Sequence, residues 1–260
     1  MILSVDPLYA IAGLAVGLLV GLTGVGGGSL MTPVLVLAFG FHPVTAVGTD
    51  LLYASVTKAA GTAVHGVSGT VDWKIVRRLA LGSVPATALT LLGLAYLGRH
   101  FDGTQHVVSV TLGVALILTA LATIYRRRIL LHFAPRFERV VPAQIRRWTI
   151  LLGAVLGVLV SLSSVGAGAL GMTVLLVLYP RLPVGRLVGT DIAHAVPLTL
   201  IAGLGHWAMG SVDGALLVSL LVGSIPGIVI GSLISSRVSD RFLQPVLAGT
   251  LLVVGGRLLL

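Results

Sequence analysis

Asp50, Asp191, Lys58, His65, His194 and His206 stand inside long apolar stretches of this chain, and they are the side chains there whose types can do chemistry. A carboxylate at the centre of a bilayer costs about 2.5–3.5 kcal/mol on insertion scales, so Asp50 and Asp191, each following Gly-Thr, are not expected to be idle. They can exchange a proton, pair with Lys58, or cap the N–H groups of a broken helix. Lys58 is the one basic residue well inside a predicted span, where it attracts an anion or neutralises Asp50. His65 follows it two turns later on the same helical stripe, with Thr62 between them. His65 and His206 close their helices, where an imidazole titrates near neutral pH or meets terminal carbonyls. His194 comes one turn after Asp191, a spacing at which carboxylate and imidazole could relay protons.

A second group of residues offers backbone rather than charge. Gly24, Val25, Gly26, Gly27, Gly28 and Ser29 follow one apolar stretch, and Ser163, Ser164, Gly166 and Gly168 follow another. Glycines let backbone N–H groups approach a ligand, and a helix N-terminus presents unpaired donors with positive partial charge. Together they make an anion site without a formal cation. The hydroxyls of Thr23, Ser29, Thr49, Ser163, Ser164 and Thr190 flank these breaks and complete the expected cradle. Tight helix packing through small residues is the competing explanation for the glycines. Asp72 and Asp213 stand in short turns before helices and are expected to cap them.

The elements that must position these groups are membrane helices. The chain has 260 residues, 56% hydrophobic and 10% charged, with a mean hydropathy of +1.07. That leaves too little polar surface to coat a water-soluble globule. Apolar stretches of the roughly 20 residues needed to cross a bilayer recur from end to end. Residues 8–20 lack the basic flank and cleavage site of a signal peptide and are kept in the mature fold. The chain has no cysteine, which excludes disulfides, thiolate metal sites and cysteine nucleophiles. No metal-hydrolase histidine spacing and no serine with a convincing base is evident, so no enzyme, resident metal or cofactor is expected.

The chain is also written twice. Val47-Gly48-Thr49-Asp50 returns as Val188-Gly189-Thr190-Asp191, and His65 returns as His206. Gly69, Val71 and Asp72 return as Gly210, Val212 and Asp213; Gly82, Ser83 and Pro85 return as Gly223, Ser224 and Pro226. A tandem duplication follows, with a first repeat over residues 1–125, a basic cytoplasmic linker over 126–147 and a second repeat over 148–260. The linker holds Arg126, Arg127, Arg128, Arg136, Arg139, Arg146 and Arg147. That clustering suits a cytoplasmic segment lying on anionic headgroups, not nucleic-acid binding.

Each repeat is predicted to hold four helical segments, the first broken at its glycine-rich motif. Residues 8–39 would run roughly 48 Å as one helix, too long for the hydrocarbon core. The segment is therefore a bent crossing or a re-entrant hairpin. The hairpin gives three crossings per repeat and leaves only Arg99 and Arg257 outside, so the positive-inside rule favours inverted repeats. The expected fold class is an all-α integral membrane protein of this plan, in contact with the lipid bilayer and compatible with a homodimer.

These motifs resemble the TauE/SafE family of sulfite and organosulfur-anion transporters. The resemblance rests on Gly24 to Ser29 with Leu30-Met31-Thr32-Pro33, on His42-Pro43 with Ala46-Val47-Gly48-Thr49, and on Gly69-Thr70-Val71-Asp72-Trp73 leading into Gly82. It covers nearly the whole chain and implies a bacterial cytoplasmic-membrane protein that moves sulfite, sulfoacetate or related anions, often outward. Many members resemble Gly-Thr-Ser where this chain has Gly48-Thr49-Asp50 and Gly189-Thr190-Asp191, so proton coupling or substrate choice is expected to differ. A passive anion channel, or a cation-coupled importer using Asp50 and Asp191, are the alternatives the residues leave open.

Overall fold

A computed structural model describes residues 5–23, 28–67, 69–100, 104–234, 249, 251–253 and 255–258. The side chains of Thr23, Ser29 and His65, and all of Gly24, Val25, Gly26 and Gly27, lie outside the described part. The helices are α1 (Pro7–Thr23), α2 (Gly28–Leu37), α3 (Pro43–Val67), α4 (Trp73–His100), α5 (Thr104–Phe137), α6 (Pro142–Ser163), α7 (Ala169–Leu178), α8 (Val184–Ala208) and α9 (Gly214–Ile234), with further helical residues among 249–258. Among the described residues five helices are long and apolar enough to cross a membrane: α4, α5, α6, α8 and α9. The protein is thus an all-helical integral membrane protein.

Its exterior is apolar. Leu81, Leu89, Leu92, Leu118, Ile124, Val222 and Leu233 are exposed, while Thr32, Thr49, Asp50, Lys58, Ser83, Asp191, His194 and Ser224 are buried. Lipid solvates the first set, and every polar group of the second must find its partners inside protein.

Glycine sets how closely the helices approach. α1 packs along α9, and α4 along α6. A Cβ on Gly13 or Gly17 would collide with the carbonyls of Leu220 or Ser224, and one on Gly153 or Gly157 with those of Leu79 or Ser83. Gly223 lies likewise on Ala10, and Gly82 on Ile150. Each contact in one half thus has a counterpart in the other. Without a hydrophobic force between helices in lipid, such backbone-to-backbone packing is a main source of association.

The turns are braced in the same paired way. Asp72 Oδ1 accepts from the N–H groups of Lys74 and Ile75, and Asp213 Oδ1 from those of Ala215 and Leu216. Both aspartates are the expected caps. Thr49 Oγ1 accepts from the Asp213 N–H at 3.0 Å, and Thr190 Oγ1 from the Asp72 N–H at 2.9 Å. Each Val-Gly-Thr-Asp motif therefore docks on the turn of the opposite half.

Short helices α2 and α7 come back toward the starting ends of α1 and α6. Tyr9 packs edge-on against Phe39 and Phe41, with ring centroids 5.0 and 5.8 Å apart. Tyr179, just past α7, shares a 2.7 Å hydrogen bond with Thr149 near the start of α6. Arg181 donates to the Glu138 carbonyl at 3.2 Å.

The basic segment differs from expectation. It is not a loop: α5 continues through Arg126, Arg127 and Arg128 to Phe137, and α6 starts at Pro142. Arginine and leucine are good helix formers, and Arg136 meets His132 one turn back at 3.2 Å. Only residues 138–141 separate the two helices.

Candidate functional site

The site grows from the antiparallel pair α3 and α8. Gly61 lies against Ile192, and Leu52 against Gly203. Asp50, Tyr53, Thr57 and Lys58 on α3 and Asp191 and His194 on α8 are all buried along this pair.

Asp50 is fully buried. Its Oδ2 accepts a short hydrogen bond from the Thr32 hydroxyl on α2 and a 2.9 Å bond from Ser164 Oγ in the α6–α7 break. The carboxylate therefore ties together α2, α3 and the break of the other half. Its Oδ1 has no partner. Asp191, the equivalent residue on α8, has no such ties among the described residues. Its Oδ1 is unpartnered, and Gly171 of α7 forms the adjacent wall, where a Cβ would sit 3.0 Å from that oxygen.

Lys58 is 3% exposed. The one ion pair among the described residues is peripheral, Arg186 to Asp72 at 3.7 Å, so Lys58 touches neither carboxylate. Helix geometry places both carboxylates away from it. Along the axis Lys58 is about five residues, or roughly 7 Å, from the level of Asp191, and eight residues, roughly 12 Å, from Asp50.

Hydroxyls line the remaining walls. His194 Nε2 bonds Ser83 Oγ of α4 at 2.9 Å, and its Nδ1 is unpartnered. No hydrogen bond joins it to Asp191, so the expected i, i+3 relay is not formed. Tyr53 occupies the corresponding place on α3. Its hydroxyl is unpartnered, beside the 3.0 Å Thr57–Ser224 pair that bridges to α9. Buried polar groups are nearly always satisfied in folded proteins. Here Asp50, Asp191, Tyr53 and His194 each keep a buried atom free around one buried ammonium.

The α6–α7 break closes the site. Residues 163–168 are all buried. Ser164 has φ 58° and Gly166 φ 117°, left-handed conformations that end α6 sharply. Gly168 is the N-cap of α7 and carries no side-chain cap; the Gly171 N–H donates to the Gly166 carbonyl at 2.9 Å, which leaves the N–H groups of Ala169 and Leu170 uncapped. Ser163 Oγ is turned to its own backbone, donating to Leu159 O at 2.6 Å and accepting from Val165 N–H at 3.2 Å.

Other expected site residues lie elsewhere. Thr49 and Thr190 spend their hydroxyls on the braced turns, Thr190 also donating to Arg186 O at 2.6 Å. They hold the scaffold rather than face the interior charges. His206 Nε2 meets the Ser161 carbonyl of α6 at 2.9 Å, not the end of its own helix. Thr62 donates to the Lys58 carbonyl at 2.8 Å. Gly28 opens α2. Gly26, Gly27 and the side chains of Thr23, Ser29 and His65 fall outside the described residues. Tyr53, Thr57, Ser83 and Ser224 were not expected at the site. The recurrence of Gly-Ser-x-Pro at Gly82 and Gly223 was the signal for the two serines.

Similarity to known proteins agrees with this architecture. A family model described as sulfite exporter TauE/SafE matches residues 9–258. The probable membrane transporter protein YjnA of Bacillus subtilis is 42% identical over 249 residues, covering 95% of this chain and 97% of that one. The probable membrane transporter protein MJ0441 of Methanocaldococcus jannaschii is 26% identical over 213 residues, 80% of this chain and 74% of that one. No solved structure matches.

Proposed function

The chain belongs to the sulfite exporter TauE/SafE family of membrane transporters, and on that premise we propose that it is a secondary carrier exporting small sulfur-containing anions across the bacterial cytoplasmic membrane. Sulfite, sulfoacetate and related organosulfonates are the substrate class. The observation that carries this reading is the buried ammonium of Lys58, which forms no ion pair among the described residues, in a chain whose α6–α7 break carries no side-chain cap. A buried charge without an ion pair is costly, and an anion is the ligand that would offset it. Asp50 or Asp191 takes up a proton during the cycle, coupling anion movement to the proton gradient.

The carrier reading includes two inverted repeats whose broken first segments are re-entrant hairpins. The paired glycine contacts and the paired Thr-to-turn hydrogen bonds support two copies of one unit. The Tyr9–Phe39 and Thr149–Tyr179 contacts support hairpins, since both return the chain toward its entry side. The Arg186–Asp72 pair supports inversion: four crossings per repeat would put these residues on opposite faces. In this plan α3, α4, α5, α8 and α9 cross fully, and Asp50 and Asp191 approach the midplane from opposite sides.

Thermal-shift measurements on purified protein with sulfite, sulfate, sulfoacetate and taurine test the reading. A ligand that binds only the folded state raises stability with the logarithm of its concentration over Kd. Stabilisation by one or two sulfur anions, lost in Lys58→Ala, is expected. The free carboxylate oxygens of Asp50 and Asp191 favour a second reading, a cation-coupled importer. Stabilisation by sodium alone, improved by Lys58→Ala, would replace the first reading with it.

A further inference from the structure

We propose that the two buried aspartates have divided their work: Asp191 competes with the transported anion for Lys58 and carries the coupling proton, while Asp50 is a fixed anchor of the helix breaks. The inference rests on the anion-carrier reading and assigns its coupling residue.

The division follows from how each carboxylate is held. Asp50 accepts two hydroxyl hydrogen bonds, from Thr32 on α2 and Ser164 in the α6–α7 break. Donors aimed at a carboxylate favour its ionised form and fix its rotamer. Moving a proton through Asp50 would also disturb two elements at once. Among the described residues Asp191 has none of these ties: its Oδ1 is unpartnered and lies against Gly171, which has no side chain to offer it. Asp191 is also the closer of the two to Lys58 along the α3–α8 register.

The groups facing Asp191 are few. α3 presents Lys58, with Tyr53 and Asp50 further along the helix; α8 itself presents His194, whose Nε2 is held by Ser83 of α4. The described side chains of α6 and α7 bring no further buried charge. With both carboxylates ionised this interior has one positive and two negative charges and repels an anion. With Asp191 protonated, Lys58 and Asp50 balance, and the ammonium is left to meet an anion. The anion then enters with its proton already aboard, one proton for each anion bound. The proton moves from water to an Asp191 carboxylate oxygen and returns to water on the far side, so the step needs no other reactant.

Anion affinity measured at several pH values, and anion-driven proton flux in proteoliposomes, test this on wild type, Asp191→Asn and Asp50→Asn. Wild type is expected to bind sulfite more tightly as pH falls and to move one proton per anion. Asp191→Asn is expected to bind roughly tenfold more tightly than wild type at neutral pH, equivalent to about 1.4 kcal/mol. It should lose the pH response and the proton flux. Asp50→Asn should keep the pH response while its thermal stability falls. A pH response retained in Asp191→Asn, or lost in Asp50→Asn alone, overturns the assignment. Wild-type flux without protons overturns it even if neither variant folds. Failure of wild type to bind any sulfur anion is a different result, and removes the anion-carrier reading on which the assignment depends.

Discussion

Asp50 shows how a buried charge is kept. Two hydroxyl donors from separate elements hold one of its oxygens, and hydrogen bonds to charged groups contribute about 1.5–3 kcal/mol each. Ser164→Ala removes one donor and leaves the carboxylate less satisfied. We expect a fall in unfolding free energy on that scale, read by thermal or chemical denaturation in detergent, with Ser163→Ala costing less because Ser163 bonds only to nearby backbone. The residues that carry charge were legible in the sequence, because an aspartate or lysine amid apolar residues demands a reason. Their partners were not. Nothing local in Thr32-Pro33 or Ser163-Ser164 says that both neighbourhoods converge on Asp50. Thr49 and Thr190 misled for the same reason: a hydroxyl beside a glycine suits a ligand cradle and a turn brace equally, and only the long-range partner separates them.

Between elements, glycine decides the distance. Gly82 and Gly223 lie where any Cβ would meet the carbonyls of Ile150 and Ala10. Gly82→Ala and Gly223→Ala should each force helices apart and lower the yield of folded, monodisperse protein. Gly93→Ala is the control: nothing stands within 4 Å of its Cβ, and alanine is favoured over glycine in a helix by about 1 kcal/mol. Size-exclusion profiles with melting curves would separate the two classes. The helices themselves followed from the 20-residue apolar stretches, and the break at Ser164 from its glycine and serine content. The continuation of α5 to Phe137 did not, because arginines read as a loop when charge is weighed above helix propensity. The Cα path of a helix leaving the bilayer is set by propensity and capping, not by hydropathy.

For the molecule as a whole, the paired contacts tie each half to the other more than to itself: α1 lies on α9 and α4 on α6. Neither half is expected to fold alone. Expression of residues 1–125 or 148–260 separately should give aggregated protein, and co-expression should recover folded protein detectable by co-purification. Because the native chain has no cysteine, single cysteines report sidedness directly. Ser211→Cys should react with a membrane-impermeant maleimide from outside intact cells, and Arg139→Cys only after the membrane is opened. Both reacting from the same side would reject the inverted arrangement. The repeated motifs are what point to a duplication. That each motif braces the opposite half was not, since a repeat in sequence gives no account of which copy it touches.

The central claim is that a sulfur anion crosses through a site organised by the buried Lys58, and sulfite counter-flow in proteoliposomes tests it most directly. Vesicles preloaded with unlabelled sulfite should accumulate labelled sulfite when they contain wild-type protein, with a rate that saturates. Lys58→Ala should reduce that rate by tenfold or more, by removal of one charge interaction of about 1.4 kcal/mol or greater. Equal flux in Lys58→Ala and wild type, or flux that rises linearly without counter-flow stimulation, would contradict the account.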